Sequence, residues 1–324
     1  MRAVLIVNPR ATSTTRLRRD VIASALASTV QLEVTETRYR GHATKLASDA
    51  SSKGYDLVLT LGGDGTVNEV VNGILDSRAT IPGSSGASPD ELPALAALPG
   101  GAANVFTGAL GLPRDPIDAT GQILRAMAER RQRTIGLGVA DGRYFTFNAG
   151  LGLDGEVVRA VQGLRAHGNS VNTALYVRMA LRQFYRQTDR RHPALTIELD
   201  HKPIESSSSR SSEVFVAIVS NTTPWTYLGS REVHANPQAG FDTGLDLLAL
   251  RKMSTLSTFI AISKMLTGGN DRMLRGRNVL AYHDQACIGL RASRPVAFQI
   301  DGEYVGERES VTLRSVPRAL RVIA

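Results

Sequence analysis

The sequence predicts a chain of α/β + β class, an N-terminal three-layer α/β domain followed by a β-sandwich domain. Three observations carry that prediction. Apolar strand-like runs alternate with helix-like segments over about the first 130 residues, the pattern of parallel βαβ units. Beyond an arginine-rich helical segment at 119–133, strand candidates follow one another mostly without helices, which is an antiparallel, sandwich-like habit. And 324 residues exceed the usual size of a single hydrophobic core.

Taken in order, residues 3–7 (AVLIV) read as a buried strand, 17–30 as a helix, 31–37 as a second strand and 42–53 as a second helix. The run 56–61 (DLVLTL) is a third strand, 66–75 a helix, 81–93 a turn-rich loop and PALAALP a fourth, short apolar strand. In the second half the strand candidates are RYFTFNAG, ALTIELD, EVFVAIVS, DLLALR, NVLAYH, ACIGLRA, PVAFQI and SVTLR. Helical patches at 171–187 and 254–266 interrupt them, and SSSSRSS (206–212) reads as a hairpin tip. The domains are therefore expected at 1–135 and 136–305, with the segment from about 306 to 324 a candidate to return to the first.

Composition excludes the disordered and fibrous classes, since 42% of residues are hydrophobic and 21% charged. No stretch approaches the roughly 20 apolar residues that span a bilayer. Met1–Val7 lacks the features of a signal peptide, and the single cysteine, Cys287, has no partner for an internal disulfide. These features suggest a cytoplasmic protein. A net charge of +8 favours polyanionic partners. The six histidines show no metal-site spacing, and neither a helix-turn-helix nor a zinc pattern supports nucleic acid as the polyanion.

The chemistry concentrates in two glycine turns. In LGGDGTVNEV (61–70) a strand runs through Gly62, Gly63 and Gly65 into a helix, with Thr66 and Glu69 spaced as a capping box. A helix N-terminus offers backbone N–H groups to an anion, and missing Cβ atoms would let a phosphate come close. Glycine used for turn geometry alone is the competing reading. Asp64 favours the first, because a carboxylate beside phosphates implies an intervening Mg2+. The Walker lysine is absent. A second turn, LPGGAANVF (98–106), follows another apolar strand, and parallel sheets bind ligands at the carboxyl ends of their strands.

GGDGTVNEVVNG (62–73), LPGGAANVF (98–106), NAGLGLDGEV (148–157) and QIDGE (299–303), in that order, resemble the diacylglycerol kinase catalytic family, which includes bacterial soluble lipid kinases and sphingosine kinases. GGDGT alone is shared with NAD kinases and phosphofructokinases, whereas four ordered motifs are specific. The resemblance implies an active site in the cleft between the domains and ATP with Mg2+ as cofactors. It implies that Gly62, Gly63, Asp64, Gly65, Thr66, Val67 and Asn68 hold the ATP phosphates. Asn8, Pro9 and Thr37 match early nucleotide contacts, and Gly100, Gly101, Ala102 and Asn104 form the second turn of the site. Relatives often carry Gly-Thr-x-Asn-Asp where this chain has Gly101-Ala102-Ala103-Asn104-Val105, so a hydroxyl and a carboxylate are missing.

Phosphoryl transfer needs positioning, charge compensation and one base. As a tripeptide, Asp301-Gly302-Glu303 reads as a hairpin turn; the resemblance makes Glu303 the candidate base. Asp154 reads both as a helix cap and as an active-site carboxylate, so Glu303, Asp64 and Asp154 form the candidate catalytic set. Asp242 lies where relatives have an Asp-Asp-Gly stretch tied to a structural Mg2+, and is with Asp64 a candidate metal ligand.

The activity implied is ATP-dependent phosphorylation of diacylglycerol to phosphatidic acid, with a sphingosine-type or other lipid alcohol as the alternative. An NAD kinase lacks support because no later Gly-Ser-Thr-Ala-Tyr segment occurs, and Asp64 and Glu303 argue against a non-catalytic sensor. The expected partners are a lipid substrate at the membrane surface and the anionic bilayer itself, with transient association at the inner face; a homodimer is a further option. Arg178, Arg182, Arg186 and Arg190 recur every four residues as a cationic helical stripe, readable as a bilayer contact or an ordinary solvated face. Trp225 and Tyr227 suit an interface, an acyl pocket or a core.

Overall fold

A computed structural model describes residues 1–76, 89–166, 173–186, 189, 191–199, 202–203, 213–267, 274 and 276–324. They divide into two compact units, Met1–Leu137 with Pro317–Ala324, and Gly138–Val316.

The first unit runs β1 (Arg2–Val7), α1 (Arg16–Ala27), β2 (Gln31–Glu36), α2 (His42–Ser52), β3 (Leu57–Gly62), α3 (Asp64–Asp76), β4 (Ala94–Pro99), α4 (Val105–Ala109) and α5 (Pro116–Ala128). The strands lie in the order β2-β1-β3-β4, all parallel. Near the end of the chain, Val322 pairs in parallel with Leu95 of β4. Every residue of β3 and β4 is buried, which is why both read as apolar runs, broken only by Thr60: a parallel sheet is covered on both faces. Leu5, Ile22, Leu59, Leu98, Ile123 and Ile323 belong to one core cluster.

Helix α5 begins earlier than the expected 119 and ends before 133, because Asp115 caps it by accepting from the N–H groups of Ile117 and Asp118, with Pro116 as the first helical residue. Of the expected loop at 81–93, residues 81–88 lie outside the described residues, and Pro89–Glu91 form a 3-10 turn.

Strand β5 (Arg133–Ala140) leads into the second unit, followed by β6 (Arg143–Phe145), β7 (Asn148–Gly152), α6 (Leu153–Ala166), α7 (Thr173–Arg186), β8 (Leu195–Leu199), β9 (Lys202–Pro203) and β10 (Glu213–Val214). Then come β11 (Val216–Ser220), β12 (Thr226–Leu228), β13 (Arg231–Val233), β14 (Leu245–Leu250), α8 (Thr255–Thr267), β15 (Val279–Gln285), β16 (Cys287–Ile300) and β17 (Glu303–Val322). The antiparallel order is β15-β14-β11-β7-β16-β17, with β8 also on β16. Phe145, Leu151, Ile197, Phe298 and Leu313 share its main core cluster.

Two strands expected at 286–292 and 295–300 are one strand, β16, whose pairing with β17 shifts register between Arg291 and Val296. The irregularity absorbs Pro295, which has no N–H to give a ladder. Helix α6 lies outside the two expected helical patches and is foreshadowed only by the reading of Asp154 as a helix cap. The serine tract 206–212 lies outside the described residues. No described helix is long and apolar enough to cross a membrane.

Candidate active site

In the first unit the predicted nucleotide residues gather at the carboxyl ends of the parallel strands. Asn8 follows β1: its N–H donates to Leu61 O at 2.9 Å, and its Nδ2 donates to Thr66 Oγ1 at 3.1 Å. Pro9 is exposed beside it. Thr37 follows β2 and donates its N–H to Val7 O at 2.8 Å. The turns after β3 and β4 touch each other, with Gly100 N donating to Gly62 O at 2.8 Å.

That contact explains the glycines. A Cβ on Gly101 would stand 2.6 Å from Gly63 Cα, and one on Gly100 2.8 Å from Gly62 N. The space vacated by the side chains is filled by the opposite turn, so these glycines serve backbone contact between two strand ends. Thr66 N and Val67 N in the first turn of α3 donate to Gly63 O at 2.9 and 3.1 Å, and a helix start of this kind carries the positive end of the helix dipole. Gly63, Asp64 and Gly65 are partly exposed there.

Asp64 opens α3, where a negative charge is favourable, and its Oδ1 also accepts from Phe106 N at 3.1 Å, joining the two turns a second time. Asn104 closes the second turn on itself: Nδ2 donates to Gly101 O and Gly101 N donates to Oδ1, both at 2.8 Å, with the backbone left-handed at φ 53°. Ala102 is exposed at the apex of this turn, whereas Val67 and Asn68 are buried inside α3. Thr14 escaped sequence reasoning; its Oγ1 is buried beside Gly100 without a hydrogen-bond partner.

The capping box read at Thr66 and Glu69 is a correction. Helix α3 already starts at Asp64, which places Thr66 within it, and the Glu69 carboxylate instead accepts from Gly41 N at 2.8 Å and Ala43 N at 3.1 Å. It supplies a negative charge to the N-terminus of α2.

The second unit assembles the other carboxylates. Asp301 and Gly302 form the two-residue turn between β16 and β17, both left-handed at φ 46° and 74°, as a type I′ hairpin requires. The Asp301 carboxylate is buried and saturated: Oδ2 accepts from Thr146 N at 2.7 Å and Thr146 Oγ1 at 2.9 Å, and Oδ1 from Phe147 N at 3.0 Å and Asn148 N at 3.1 Å. This clamp fixes the hairpin on the β6–β7 connection and so fixes Glu303, the next residue but one. Glu303 is partly exposed and pairs with Arg143, whose Nη2 donates to Oε2 at 2.9 Å.

Asp154 sits in the first turn of α6, not before it, and is 7% exposed. Gln299 Nε2 donates both to Asp154 Oδ2 at 2.6 Å and to Asn148 Oδ1 at 2.7 Å, while Gly302 N donates to Gln299 Oε1 at 2.9 Å. Asp154 and the Glu303 hairpin therefore share one amide. Burial pushes the Asp154 carboxyl up to about 6, partly opposed by the Gln299 hydrogen bond. Gly150 leaves the space this carboxylate occupies, since a Cβ there would lie 1.8 Å from Oδ2. Asn148, Gln299 and Arg143 were not singled out from sequence, although the first two stand inside the four ordered motifs, and Asp301 was read there only as a turn residue.

Asp242 is exposed in the turn before β14. Among the described residues no three His, Cys, Asp or Glu side chains converge as a metal-holding group, around Asp242 or elsewhere. In α7, Arg178, Arg182, Leu181 and Tyr185 are exposed and Phe184 is buried; the Arg186 side chain and Arg190 lie outside the described residues. Trp225 is partly buried against the cluster of Val216, Ile218, Val233, Leu248 and Met265.

Residues 2–137 match the family model described as the diacylglycerol kinase catalytic domain. The resemblance read from the four ordered motifs is borne out over this stretch. The chain is 29% identical over 278 residues to the diacylglycerol kinase of Bacillus subtilis (strain 168), covering 83% of this chain and 78% of that protein. It is 32% identical over 142 residues to the "Probable lipid kinase YegS-like" of Chromohalobacter salexigens, covering 44% of this chain and 41% of that protein. Its fold resembles the crystal structure of a diacylglycerol kinase from Bacillus anthracis str. Sterne, with a TM-score of 0.69 at 19% identity over 99% of this chain and 96% of that one. The catalytic-domain match contains both glycine turns and Asp64, while Asp154, Asp301 and Glu303 lie beyond it.

Proposed function

We propose that the protein is an ATP-dependent lipid kinase that transfers the γ-phosphoryl group to the hydroxyl of diacylglycerol, giving phosphatidic acid and ADP. The observation that carries this reading is the Asp301 clamp. Four hydrogen bonds spent on the turn before Glu303 hold one partly exposed carboxylate in a fixed position, which a general base needs and a surface hairpin does not. Glu303 would accept the proton of the attacking hydroxyl as the oxygen bonds to phosphorus. Arg143 would orient Glu303, and Gln299 would couple that hairpin to Asp154.

The outward-facing start of α3 would bind the nucleotide phosphates, with Asn8 and Thr37 nearby on the same strand ends. Mg2+ would arrive with the nucleotide, because such ions are commonly held by one or two carboxylates plus substrate phosphates. Asp64 would be its protein ligand, and the ion would offset phosphate charge. The structural Mg2+ proposed at Asp242 draws no support from the described residues.

The test is radiolabelled ATP offered with a panel of lipid alcohols in mixed micelles. Diacylglycerol should be the preferred acceptor; preference for a sphingoid base or another lipid alcohol would replace it, as the lipid-kinase name of one relative allows. Glu303→Gln should keep its circular dichroism spectrum and melting temperature and lose about 10²- to 10⁴-fold in kcat. Unchanged kcat in that folded variant would remove Glu303 from the base role.

A further inference from the structure

Helix α8 is apolar on two sides, and only one is covered. Thr258, Ala261 and Met265 are buried at i, i+3 and i+7 spacing. Leu256, Phe259 and Ile260, at i, i+3 and i+4, lie on the opposite side and stand 70%, 69% and 45% exposed, with Ile262 at its flank 47% exposed. A helix hydrophobic all round is ordinarily enclosed. This one presents its largest side chains to solvent, together and on one face.

The charges along the helix segment itself are basic. From Arg251 to Thr267 the sequence has no acidic residue, while Lys252 and Lys264 are exposed on or beside the helix. At its far end Arg231 Nε donates to Leu266 O at 3.1 Å, adding a cation at the helix C-terminus, with Glu232 the acidic neighbour on β13. An apolar face bordered by lysines suits an anionic lipid surface, where side chains enter the acyl boundary and ammonium groups meet headgroups. With 13 residues, α8 extends roughly 20 Å, too short to cross a bilayer and long enough to lie in its surface.

We propose that α8 is the helix by which the protein docks on an anionic bilayer, with Leu256, Phe259 and Ile260 inserted and Lys252 and Lys264 against the headgroups. The assignment rests on the lipid-kinase reading for its biological sense, but its observations are independent of the catalytic carboxylates. It moves the bilayer contact away from the α7 arginines, whose exposed apolar companions are only Leu181 and Tyr185 among the described side chains.

The experiment is co-sedimentation of the full chain with phosphatidylcholine vesicles, with and without phosphatidylglycerol. Wild type should partition to the anionic vesicles. The double variant Leu256→Ser/Phe259→Ser should lose about tenfold or more of that partitioning while keeping its turnover on a dispersed, water-soluble short-chain diacylglycerol. Lys252→Glu/Lys264→Glu should lose the preference for anionic vesicles. As a check that needs no disruptive change, Phe259→Trp should shift its emission to the blue on those vesicles.

Unchanged partitioning of the serine double variant overturns the proposal. So does light scattering in which wild type is a dimer, the double variant a monomer and vesicle binding the same, since a second copy would then cover this face. If no lipid alcohol is phosphorylated yet binding still depends on Phe259, the kinase reading falls and the docking helix stands. If turnover is normal while wild type ignores vesicles, the reverse holds.

Discussion

Residues 62–65 and 301–302 each place an aspartate against glycine, and the two turns use glycine for different reasons. At the strand ends of the first unit the need is space: neither Gly63 nor Gly101 has a positive φ, yet a Cβ on Gly101 would strike Gly63 Cα at 2.6 Å. At the hairpin of the second unit the need is conformation: Gly302 has φ 74° and open space where its Cβ would be. The aspartates differ too. Asp64 reaches across to a neighbouring turn, whereas Asp301 turns inward and organises three successive residues of the β6–β7 connection. One turn is built to join backbones, the other to aim the residue that follows.

Removing the organiser should have the largest effect. Asp301→Ala would leave the N–H groups of Thr146, Phe147 and Asn148 buried without acceptors, at an expected cost of about 3–5 kcal/mol. Urea unfolding would measure it. A loss below about 1 kcal/mol would mean that the connection finds other acceptors and that the hairpin does not depend on the clamp.

The glycine contrast predicts an asymmetry. Gly101→Ala should cost about 2–3 kcal/mol, because backbone faces backbone and neither can yield without moving a strand end. Gly302→Ala should cost about 1 kcal/mol, the strain of a left-handed alanine in open space. Equal melting-temperature losses in the two variants would show that space and conformation are not separable here.

Much of the fold was legible because its causes are local. The fully buried β3 and β4 announce themselves as apolar runs, and the double glycines after them mark where those strands end. The change from helix-alternating to strand-rich texture likewise follows from periodicity. What sequence could not supply were partners distant along the chain. Glu69 has the spacing of a capping residue for its own helix but is used by α2, because α3 starts two residues before Thr66. Gln299 and Asn148 are ordinary strand residues until β16 and β7 pair and bring their side chains to 2.7 Å. The exposed face of α8 was invisible for the same reason: apolar spacing says that a helix is amphipathic or buried, and only packing tells which of two apolar sides is covered.

The two buried carboxylates of the second unit sharpen the comparison further. Asp301 accepts four hydrogen bonds, whereas Gln299 Nε2 is the donor that Asp154 is seen to share, so burial dominates and its carboxyl is raised from the ordinary 3.8 to about 6. The sign follows from which state releases its proton first. Between about pH 4 and pH 6 the unfolded chain is deprotonated at this residue while the folded chain still holds the proton, so stability falls as pH rises through that window and the penalty is complete above it. Asp154→Asn keeps an oxygen for Gln299 and never ionises. The pH-independent cost of a buried amide should leave it slightly less stable than wild type near pH 4, and at about 1.4 kcal/mol for each pH unit between the unfolded and folded titrations it should exceed wild type by about 2 kcal/mol near pH 7.5. A stability difference that is the same at both pH values would mean that Asp154 is as well solvated as an ordinary carboxylate, and that its single shared amide, unlike the Asp301 clamp, has no charge to manage.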